Sequence, residues 1–398
     1  MMMLYHKVKK LFRRAAVAAA FSSVVVGYGV TAFAASGRPD VLCIYYPEWH
    51  VYPEGEQIFG KGRTEWDLVN SARPRFPGHK QPIRLLDGCP DDSKPSDVAK
   101  EIDYAADAGI DCFVYDWYWA NHKPIEHEAL EEGFLKAANR NRIKFALMWA
   151  YHHRTDAFRP KPGEDDKRFF WKLSFTPEEF HEAISYCIEK YFRQPNYYKL
   201  NGKLFFSIYN ATWFIQNNGG EEGARRLLAW AQEAVGKAGL PPIHFSGMVW
   251  NPGSVGKIRA VGFESSSTYS MSPPGTGVVP YETIITQGRE YNASFLDAPL
   301  PHIPLALRGW DTTPRCRQDE PFPWAKVRYP YTAVYGNGRP EHFAQCLKDA
   351  RRQAETAPKK PGAILINAWN EYTEGSYLMP DTVSGDAYLR AIRSVFGR

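Results

Sequence analysis

Cysteine is scarce in this chain and follows no pattern. Six cysteines are spread singly over 398 residues, with no C-x-x-C pair. Such spacing matches neither a zinc site nor the disulfide framework of a small secreted domain. Four of the six, Cys43, Cys112, Cys187 and Cys346, lie within apolar strand or helix patterns. These four are expected to be buried thiols, although export would permit a bridge between some of them.

Several sequence motifs for nucleotides and nucleophiles are also missing. No strand candidate is followed by G-x-G-x-x-G, no serine lies in G-x-S-x-G, and no D-x-D pattern is evident. These absences argue against a dinucleotide fold, a serine hydrolase and a nucleotide-sugar site. The adjacent His152 and His153 have no carboxylate at ligand spacing nearby, so we expect neither a metal nor an organic cofactor.

The first 34 residues contain the most continuous apolar run, and that run is short. Residues 15–30 are too few and too rich in Gly and Ser for a spanning helix. Five basic residues precede the run and Ala32-Phe-Ala34 follows it, which is typical of a signal peptide. We therefore predict a signal peptide over residues 1–34, export to the periplasm or medium, and one catalytic domain over residues 35–398. The Arg13-Arg14 pair raises a twin-arginine route, but its surroundings fit that signal less well than the general secretory route, and the route stays open.

Charge and aromatic content narrow the range of partners. The five basic residues of the leader equal the whole formal net charge of +5, so the remaining chain is close to neutral. Nucleic acid and anionic membranes are therefore not expected partners.

Aromatic residues make up 15% of the chain, including 12 Trp and 23 Tyr. Such rings often line sugar-binding or protein-binding surfaces, because a flat ring offers an apolar face with little entropy to lose.

Short apolar runs alternate with longer segments of helical period along the whole chain. This alternation predicts a single (β/α)8 barrel with elaborated loops at its C-terminal face, and an open doubly wound sheet is the alternative. One of the intervening helices is expected over Ile125–Asn139. The eight predicted strands are Val41–Tyr46, Asp111–Tyr115, Lys144–Trp149, Leu204–Tyr209, Ile243–Val249, Val261–Ser265, Ile303–Leu307 and the apolar run that starts at Ala363.

The eighth predicted strand leads directly into two acids. Glu371 and Glu374 follow the apolar run that ends at Trp369, three positions apart. Two carboxylates held close together can have their pKa values pushed apart, so that one serves as a base or nucleophile and the other as an acid. We therefore regard Glu371 and Glu374 as the catalytic candidates.

The other strand exits are rich in aromatic, carboxylate, His and Asn residues. In a barrel these exits meet at the C-terminal face, which is the working surface of the fold. Arg308 and Asp311 are interpreted either as a structural ion pair or as substrate contacts. The run from Glu126 to Glu132 is interpreted as a solvated helix face. The candidate binding residues are Tyr46, Trp49, Asp116, Trp117, Trp119, His152, Tyr209, Asn210, Trp250, Tyr269, Arg308, Trp310, Asp311 and Asn370.

Two motifs carry a resemblance to a known family. Asn367-Ala-Trp-Asn-Glu-Tyr-Thr-Glu-Gly-Ser-Tyr-Leu-Met-Pro-Asp381 and Arg308-Gly-Trp-Asp-Thr-Thr-Pro-Arg315 resemble the WbsX-type proteins of the glycoside hydrolase family 99-like group. The resemblance extends from about Val41 to Asp381. It implies a (β/α)8 fold and, by analogy with the family 99 endo-α-mannosidases, a base at Glu371 and an acid at Glu374.

The resemblance further implies a glycoside hydrolase that acts on an α-linked glycan. In that family the base removes a proton from the sugar 2-hydroxyl, which attacks the anomeric carbon and gives an anhydro-sugar with net retention. The aromatic candidates would then stack on sugar rings, and the polar ones would bind hydroxyls or orient the acids. A glycosyltransferase, the label often given to WbsX-type chains, and a non-catalytic glycan-binding barrel are the alternatives. The sugar, the linkage, endo or exo action and the oligomeric state stay open.

Overall fold

The computed structural model describes residues 37–155, 169–324, 327–336 and 338–397. The predicted signal peptide lies outside these residues. Within them, no helix is both long and apolar enough to cross a membrane. Cys43, Cys112, Cys187 and Cys346 are buried thiols.

The predicted barrel is confirmed. Eight parallel strands alternate with helices, and their buried side chains form the central core. The barrel strands are β1 (Asp40–Tyr45), β2 (Cys112–Ala120), β3 (Lys144–Trp149), β4 (Lys203–Ile208), β5 (Ile243–Met248), β6 (Ser265–Ser267), β7 (Leu305–Leu307) and β8 (Ala363–Asn367).

Strand β1 pairs with both β2 and β8, so the first and last strands of the barrel are neighbours. Pairing continues in one direction from β2 through β3, β4 and β5 to β6, and in the other from β8 to β7. A parallel bridge between Ser266 and His302, just before β7, joins the two ends. The eight strands therefore form a nearly closed barrel whose strand exits share one face.

Helices surround the barrel and pack on its outer surface. Two short helices, Pro53–Phe59 and Trp66–Ser71, lie within the long irregular stretch that follows β1. The remaining α-helices are Pro95–Ala108, Pro177–Lys190, Ala211–Asn217, Gly220–Lys237, Val255–Val261, Thr283–Ala293, Pro340–Thr356 and Ala387–Phe396.

The predicted helix over Ile125–Asn139 is mostly wrong. Residues Lys123–Ile125 instead pair antiparallel with the end of β2, and only Ala129–Phe134 forms a π-helical turn. Glu126 adopts a positive φ of 54° between them, which breaks a helix. Gly133 packs so closely on Asp92 that an added Cβ would lie 2.0 Å from the Asp92 carbonyl oxygen. The segment is therefore shaped by contacts with the loop after β1.

The sixth strand also differs from its predicted position. Val255–Val261 is a helix that ends at Gly262, whose φ of 114° suits a left-handed cap. The strand consequently begins at Ser265 rather than Val261. Its serine composition gave little apolar signal for placing it from sequence.

A buried carboxyl, that of Glu101, accepts a hydrogen bond from Trp369, two residues beyond the end of strand β8. Trp369 is fully buried, and its indole Nε1 donates to Glu101 Oε2 at 3.0 Å. Burial, aided by Asp92, raises the pKa of Glu101 to about 8. At neutral pH this carboxyl is therefore expected to carry a proton in the folded protein.

Glu101→Gln should become more stable relative to the wild type as pH rises. The folded chain holds the Glu101 proton more tightly than the unfolded chain, whose glutamates titrate near about 4.3. Its contribution to stability is complete below that value and is lost as the pH rises to about 8. Melting temperatures of the two proteins, measured between about pH 5 and pH 9, should diverge in favour of Gln. Exposed Glu233→Gln is the control, and parallel curves for Glu101→Gln would contradict the interpretation.

Candidate active site

A cavity of about 440 Å³ opens at the C-terminal face of the barrel. Its walls come from the exits of β1, β2, β3, β4, β7 and β8 and from the loop after β6. The lining residues are Tyr46, Asp116, Tyr118, Met148, Ala150, His152, Arg154, Tyr209, Asn210, Tyr269, Ser270, Trp310, Arg315, Tyr329, Glu371 and Glu374.

A tight turn after β8 brings both catalytic candidates into this cavity. Asn370 first ties β8 to β1: its side-chain oxygen accepts from Tyr46 N at 2.7 Å, and its amide donates to Tyr46 O at 2.8 Å. Glu371 then leads into a 3₁₀ turn over Tyr372–Glu374 that ends at Gly375 with a φ of 66°. This positive φ and the close approach of Asp311, 2.6 Å from an added Cβ, require glycine there.

Glu371 shares a hydroxyl with Asp116. The Tyr269 hydroxyl oxygen lies 2.6 Å from Glu371 Oε1 and 2.8 Å from Asp116 Oδ2. A hydroxyl has one proton to donate, so both contacts are hydrogen bonds only when one carboxyl also carries a proton. Burial raises the pKa of both carboxyls, and the neighbouring Glu374 raises it further in each case. The trio is therefore suited to holding a proton at the cavity wall.

Arg315 joins the two glutamates. Its guanidinium donates to Glu374 Oε1 at 3.0 Å and to Glu65 Oε1 at 2.9 Å, and it lies 3.4 Å from Glu371 Oε2. The Tyr329 hydroxyl donates to the same Glu374 oxygen at 2.8 Å. All three carboxyls are buried, so the guanidinium fixes their positions as well as balancing charge.

A second group of buried acids, Glu48, Glu65 and Glu126, lies next to the cavity. Arg154 donates to Glu48 and, at 2.9 Å, to the Tyr46 hydroxyl, which in turn contacts Glu65 at 3.0 Å. Burial raises the pKa of Glu48, but the positive charge of Arg154 and the hydrogen bonds to the carboxylate outweigh it and lower that pKa. Burial instead raises the pKa of Glu65 to about 7 and that of Glu126 well above its usual range. This group therefore mixes charged and protonated carboxyls.

His152 presents a neutral ring to the cavity. Its Nδ1 donates to the His153 carbonyl oxygen at 2.9 Å, which leaves Nε2 as an acceptor. Burial lowers the pKa of His152 to about 4. The ring can therefore accept a hydrogen bond from a hydroxyl without adding positive charge.

Eleven of the sixteen candidate residues lie at the two cavities of this face, and nine of them line the cavity just described. Asn210 is one of the nine, although its side-chain oxygen also caps the helix Ala211–Asn217 by accepting from Trp213 N. The nine are Tyr46, Asp116, His152, Tyr209, Asn210, Tyr269, Trp310, Glu371 and Glu374.

The structure places three of the candidate tryptophans away from the cavity, which corrects their expected role in stacking. Strand β2 continues to Ala120, beyond its predicted end at Tyr115. Because side chains alternate along a strand, Asp116 points into the cavity whereas Trp117 and Trp119 point outward and stack on each other. Trp49 packs between Trp66 and Tyr372, with ring centroids 4.6 and 4.5 Å away.

Two further candidates lie beside the cavity rather than in its wall. Asn370 is 1% exposed, and its side chain forms the clamp on Tyr46, that is, the two hydrogen bonds to the Tyr46 backbone. The Trp250 side chain is 40% exposed and contacts the edge of Tyr209, which does line the cavity. Trp250 is thus available at the rim.

Arg308 and Asp311 lie in a second, smaller cavity that shares Trp310 with the first. The expected ion pair between them is not formed. Asp311 instead accepts from Gln81 Nε2 and contacts His79 Nε2, both at 2.8 Å. The Arg308 guanidinium is sandwiched between the rings of Tyr377 and Tyr388.

Sequence reasoning missed Arg315, Glu65 and Tyr329. Arg315 is the last residue of one of the two motifs that carried the resemblance, so a signal for it was present. Glu65 lies in the long irregular stretch after β1, and Tyr329 lies in a loop. Neither follows a strand, so the strand-exit rule could not find them. Among the described residues, no group of three or more His, Cys, Asp and Glu side chains is arranged to hold a metal ion.

The fold and the site together define a (β/α)8 barrel with paired, buried carboxylates in its C-terminal cavity. A family model described as Glycosyltransferase WbsX matches residues 41–392. The chain belongs to this family.

Curated relatives come from Xanthomonas campestris pv. campestris. The uncharacterized protein WxcX of strain B100 is 24% identical over 387 residues, which cover 94% of this chain and 52% of the relative. WxcX of strain ATCC 33913 matches with the same identity and coverage. The chain thus spans about half the length of the curated relatives it matches.

Solved structures share the fold at low sequence identity. A GH99 endo-alpha-mannosidase from Bacteroides thetaiotaomicron superposes with a TM-score of 0.56 at 16% identity, covering 90% of this chain and 96% of that one. A glycoside hydrolase-like protein superposes with a TM-score of 0.62 at 13% identity, covering 94% and 98%. These similarities establish the barrel architecture.

Arg315→Met should destabilise the protein strongly at alkaline pH and less at acidic pH. Removing the guanidinium leaves buried carboxylates without their counter-charge, at a cost of about 3–5 kcal/mol. At about pH 5 the carboxyls bind protons more readily, so the loss should shrink. Denaturant unfolding at about pH 5 and pH 8 measures the difference. The control is Arg317→Met, which breaks an exposed ion pair with Asp319 and should change stability little. An equal loss at both pH values would contradict this electrostatic role.

Proposed function

We propose that this protein is an exported glycoside hydrolase that cleaves an α-linked glycan. The observation that carries the proposal is the arrangement of Glu371 and Glu374, which line one cavity at the strand exits and contact the same guanidinium. Tyr46, Tyr209 and Trp310 in the same walls supply the aromatic faces that sugar rings require. The export part of the proposal rests on residues 1–34 alone.

We assign the base to Glu371 and the acid to Glu374, following the family resemblance. Glu371 takes the proton of the sugar 2-hydroxyl, and the oxygen forms a bond to the anomeric carbon. The glycosidic bond breaks as Glu374 passes its proton to the leaving oxygen. Water then opens the anhydro-sugar with the two roles reversed. An intramolecular attack of this kind avoids much of the entropy of a bimolecular step.

The electrostatics of the cavity add a requirement to this scheme. Burial and Glu374 raise the pKa of Glu371, so the free protein holds a proton there at pH values where an ordinary glutamate is ionised. Glu374 meanwhile accepts bonds from Arg315 and Tyr329. Before the assigned chemistry can begin, Glu371 must lose its proton and Glu374 must hold one. Substrate binding, which replaces water and contacts both acids, is the step at which this exchange would occur.

The family description favours a second candidate, a glycosyltransferase. That activity needs a nucleotide-sugar donor, for which the sequence offers no glycine-rich phosphate loop or D-x-D pattern. Incubation with a panel of α-linked polysaccharide fragments in water, without any nucleotide sugar, separates the possibilities. New reducing ends support hydrolysis. Product formation only after a nucleotide sugar is added would establish transfer, and binding without any change would indicate a glycan-binding barrel.

Glu374→Gln should abolish cleavage of glycosides with poor leaving groups and largely spare activated aryl glycosides. The former need protonation of the departing oxygen, a contribution of about 100-fold or more, whereas aryl oxides leave with little help. Rates on matched alkyl and aryl substrates measure the contrast, with exposed Glu341→Gln as control. Equal losses on both substrates would remove the acid role from Glu374.

The pH profile should report the raised pKa of Glu371. Because the base must be ionised, kcat/KM should rise with pH along an acid limb that lies above the usual glutamate pKa of about 4.3. On aryl glycosides, Glu374→Gln should move this limb to lower pH, since it removes a neighbouring like charge. A limb that does not move between wild type and variant would show that the profile reports another group.

A further inference from the structure

A buried cation lies in the second cavity. Arg308 follows strand β7, is 8% exposed, and forms part of the wall of this cavity. Its Nη1 donates to the Gly375 carbonyl oxygen at 3.3 Å, while its buried Nε has no hydrogen-bond partner. Within the described part of the chain, no carboxylate lies within ion-pair distance of this guanidinium. Asp381 is the acid whose charge acts on Arg308, and it does so from beyond ion-pair distance. The charge is therefore buried without a carboxylate in direct contact.

Packing does not account for this charge. The Arg308 guanidinium carbon lies 3.9 Å from the Tyr388 ring centroid and 4.6 Å from that of Tyr377. Cation–π contacts of this kind stabilise a guanidinium by less than burial of an unpaired ion costs. Buried charges in proteins are normally paired. A missing anionic partner is the simplest explanation for an arginine held in this way.

The acid in the same cavity is already satisfied. Asp311 contacts His79 and Gln81, each at 2.8 Å, and accepts from Thr313 N at 3.0 Å. Its negative charge is thus held by donors of the protein, whereas no carboxylate contacts the Arg308 guanidinium directly and Asp381 acts on it only from a distance. An exposed lysine at the mouth, Lys80, adds a second positive charge. The balance of unpaired charge in the cavity is positive.

Position and size indicate what would bind. Trp310 lines both cavities, and Gly375, which lines the second, directly follows Glu374. The second cavity measures about 70 Å³, which accommodates a few waters at about 10–15 Å³ each but not a whole sugar ring. A substituent of a glycan bound in the main cavity could therefore enter it. Planar carboxylate is the group that matches an arginine fork best.

We propose that the second cavity binds the carboxylate of an acidic sugar residue, with Arg308 as its specificity-determining contact, so that the substrate glycan is acidic. This inference rests on the proposed function for its biological meaning, but its test does not depend on hydrolysis.

The test compares binding of sodium glucuronate and glucose by saturation-transfer NMR and calorimetry. The wild type should bind glucuronate at least about tenfold more tightly, the usual gain from a charge-assisted hydrogen bond. Arg308→Gln should lose this preference, and Arg308→Lys should retain part of it. Lys80→Gln, which alters the exposed lysine of the same cavity, is the matched control and should keep most of it. Equal binding of the two sugars by the wild type, or an unchanged preference in Arg308→Gln, would overturn the proposal.

Two further measurements distinguish a carboxylate site from a sulfate or phosphate site and from a purely structural arginine. Glucose 6-sulfate and glucose 6-phosphate are tested in parallel, and tighter binding of either than of glucuronate would overturn the carboxylate assignment.

Without ligand, Arg308→Gln should melt no lower than the wild type, because it removes a buried charge that no carboxylate contacts. A fall in melting temperature together with a retained preference would assign Arg308 a structural role. Glucuronate binding is measured without any cleavage, so failure of the proposed hydrolysis and failure of this proposal are distinguishable.

Discussion

The contact of Arg315 with three buried carboxyls is the interaction on which the site depends. Glu65 reaches it from the loop after β1, and Glu371 and Glu374 reach it from the turn after β8. Without a cation at their centre, these carboxyls would repel one another and would not be stable so close together in a water-poor setting. Arg315 thus converts an unfavourable cluster of acids into a fixed arrangement, and it does so from the 3₁₀ turn Thr313–Arg315 that follows β7.

One guanidinium does not neutralise all the carboxyls of the region. The carboxyls left without a counter-charge can take part in proton transfer. Among the residues lining or underlying the cavity, Arg154 serves Glu48 while Asp116, Glu126 and Glu371 have raised pKa values. Several of these carboxyls therefore keep their protons at pH values where ordinary carboxyls are ionised. A reaction that takes a proton from a hydroxyl and gives one to a leaving oxygen can draw on such a store, whereas a fully ionised cluster could only accept protons.

Much of the barrel could be predicted, because strand and helix periods are local properties. Lys144–Trp149 was predicted with the bounds that the structure has, and the weak sixth strand was misplaced because serines carry no apolar signal. The strand-exit rule predicted that Glu371 and Glu374 lie at the C-terminal face of the barrel, and both line the cavity there. Trp117 was assigned to the cavity because its strand was expected to end too early, which hid the alternation of its side chains. Glu126 was assigned to solvent, yet it is buried against Tyr52, a contact across 74 residues that no local pattern encodes.

The clamp between Asn370 and Tyr46 has a consequence for the order of events during synthesis. Its two partners are separated by 324 residues, and β1 cannot complete its pairing until β8 has been made. Contacts of such long range form late and slowly. Because the turn that carries Glu371 and Glu374 starts at this clamp, a chain whose synthesis is not complete has no assembled acid pair. The cavity and its acid pair would then form together, when the ring of strands closes.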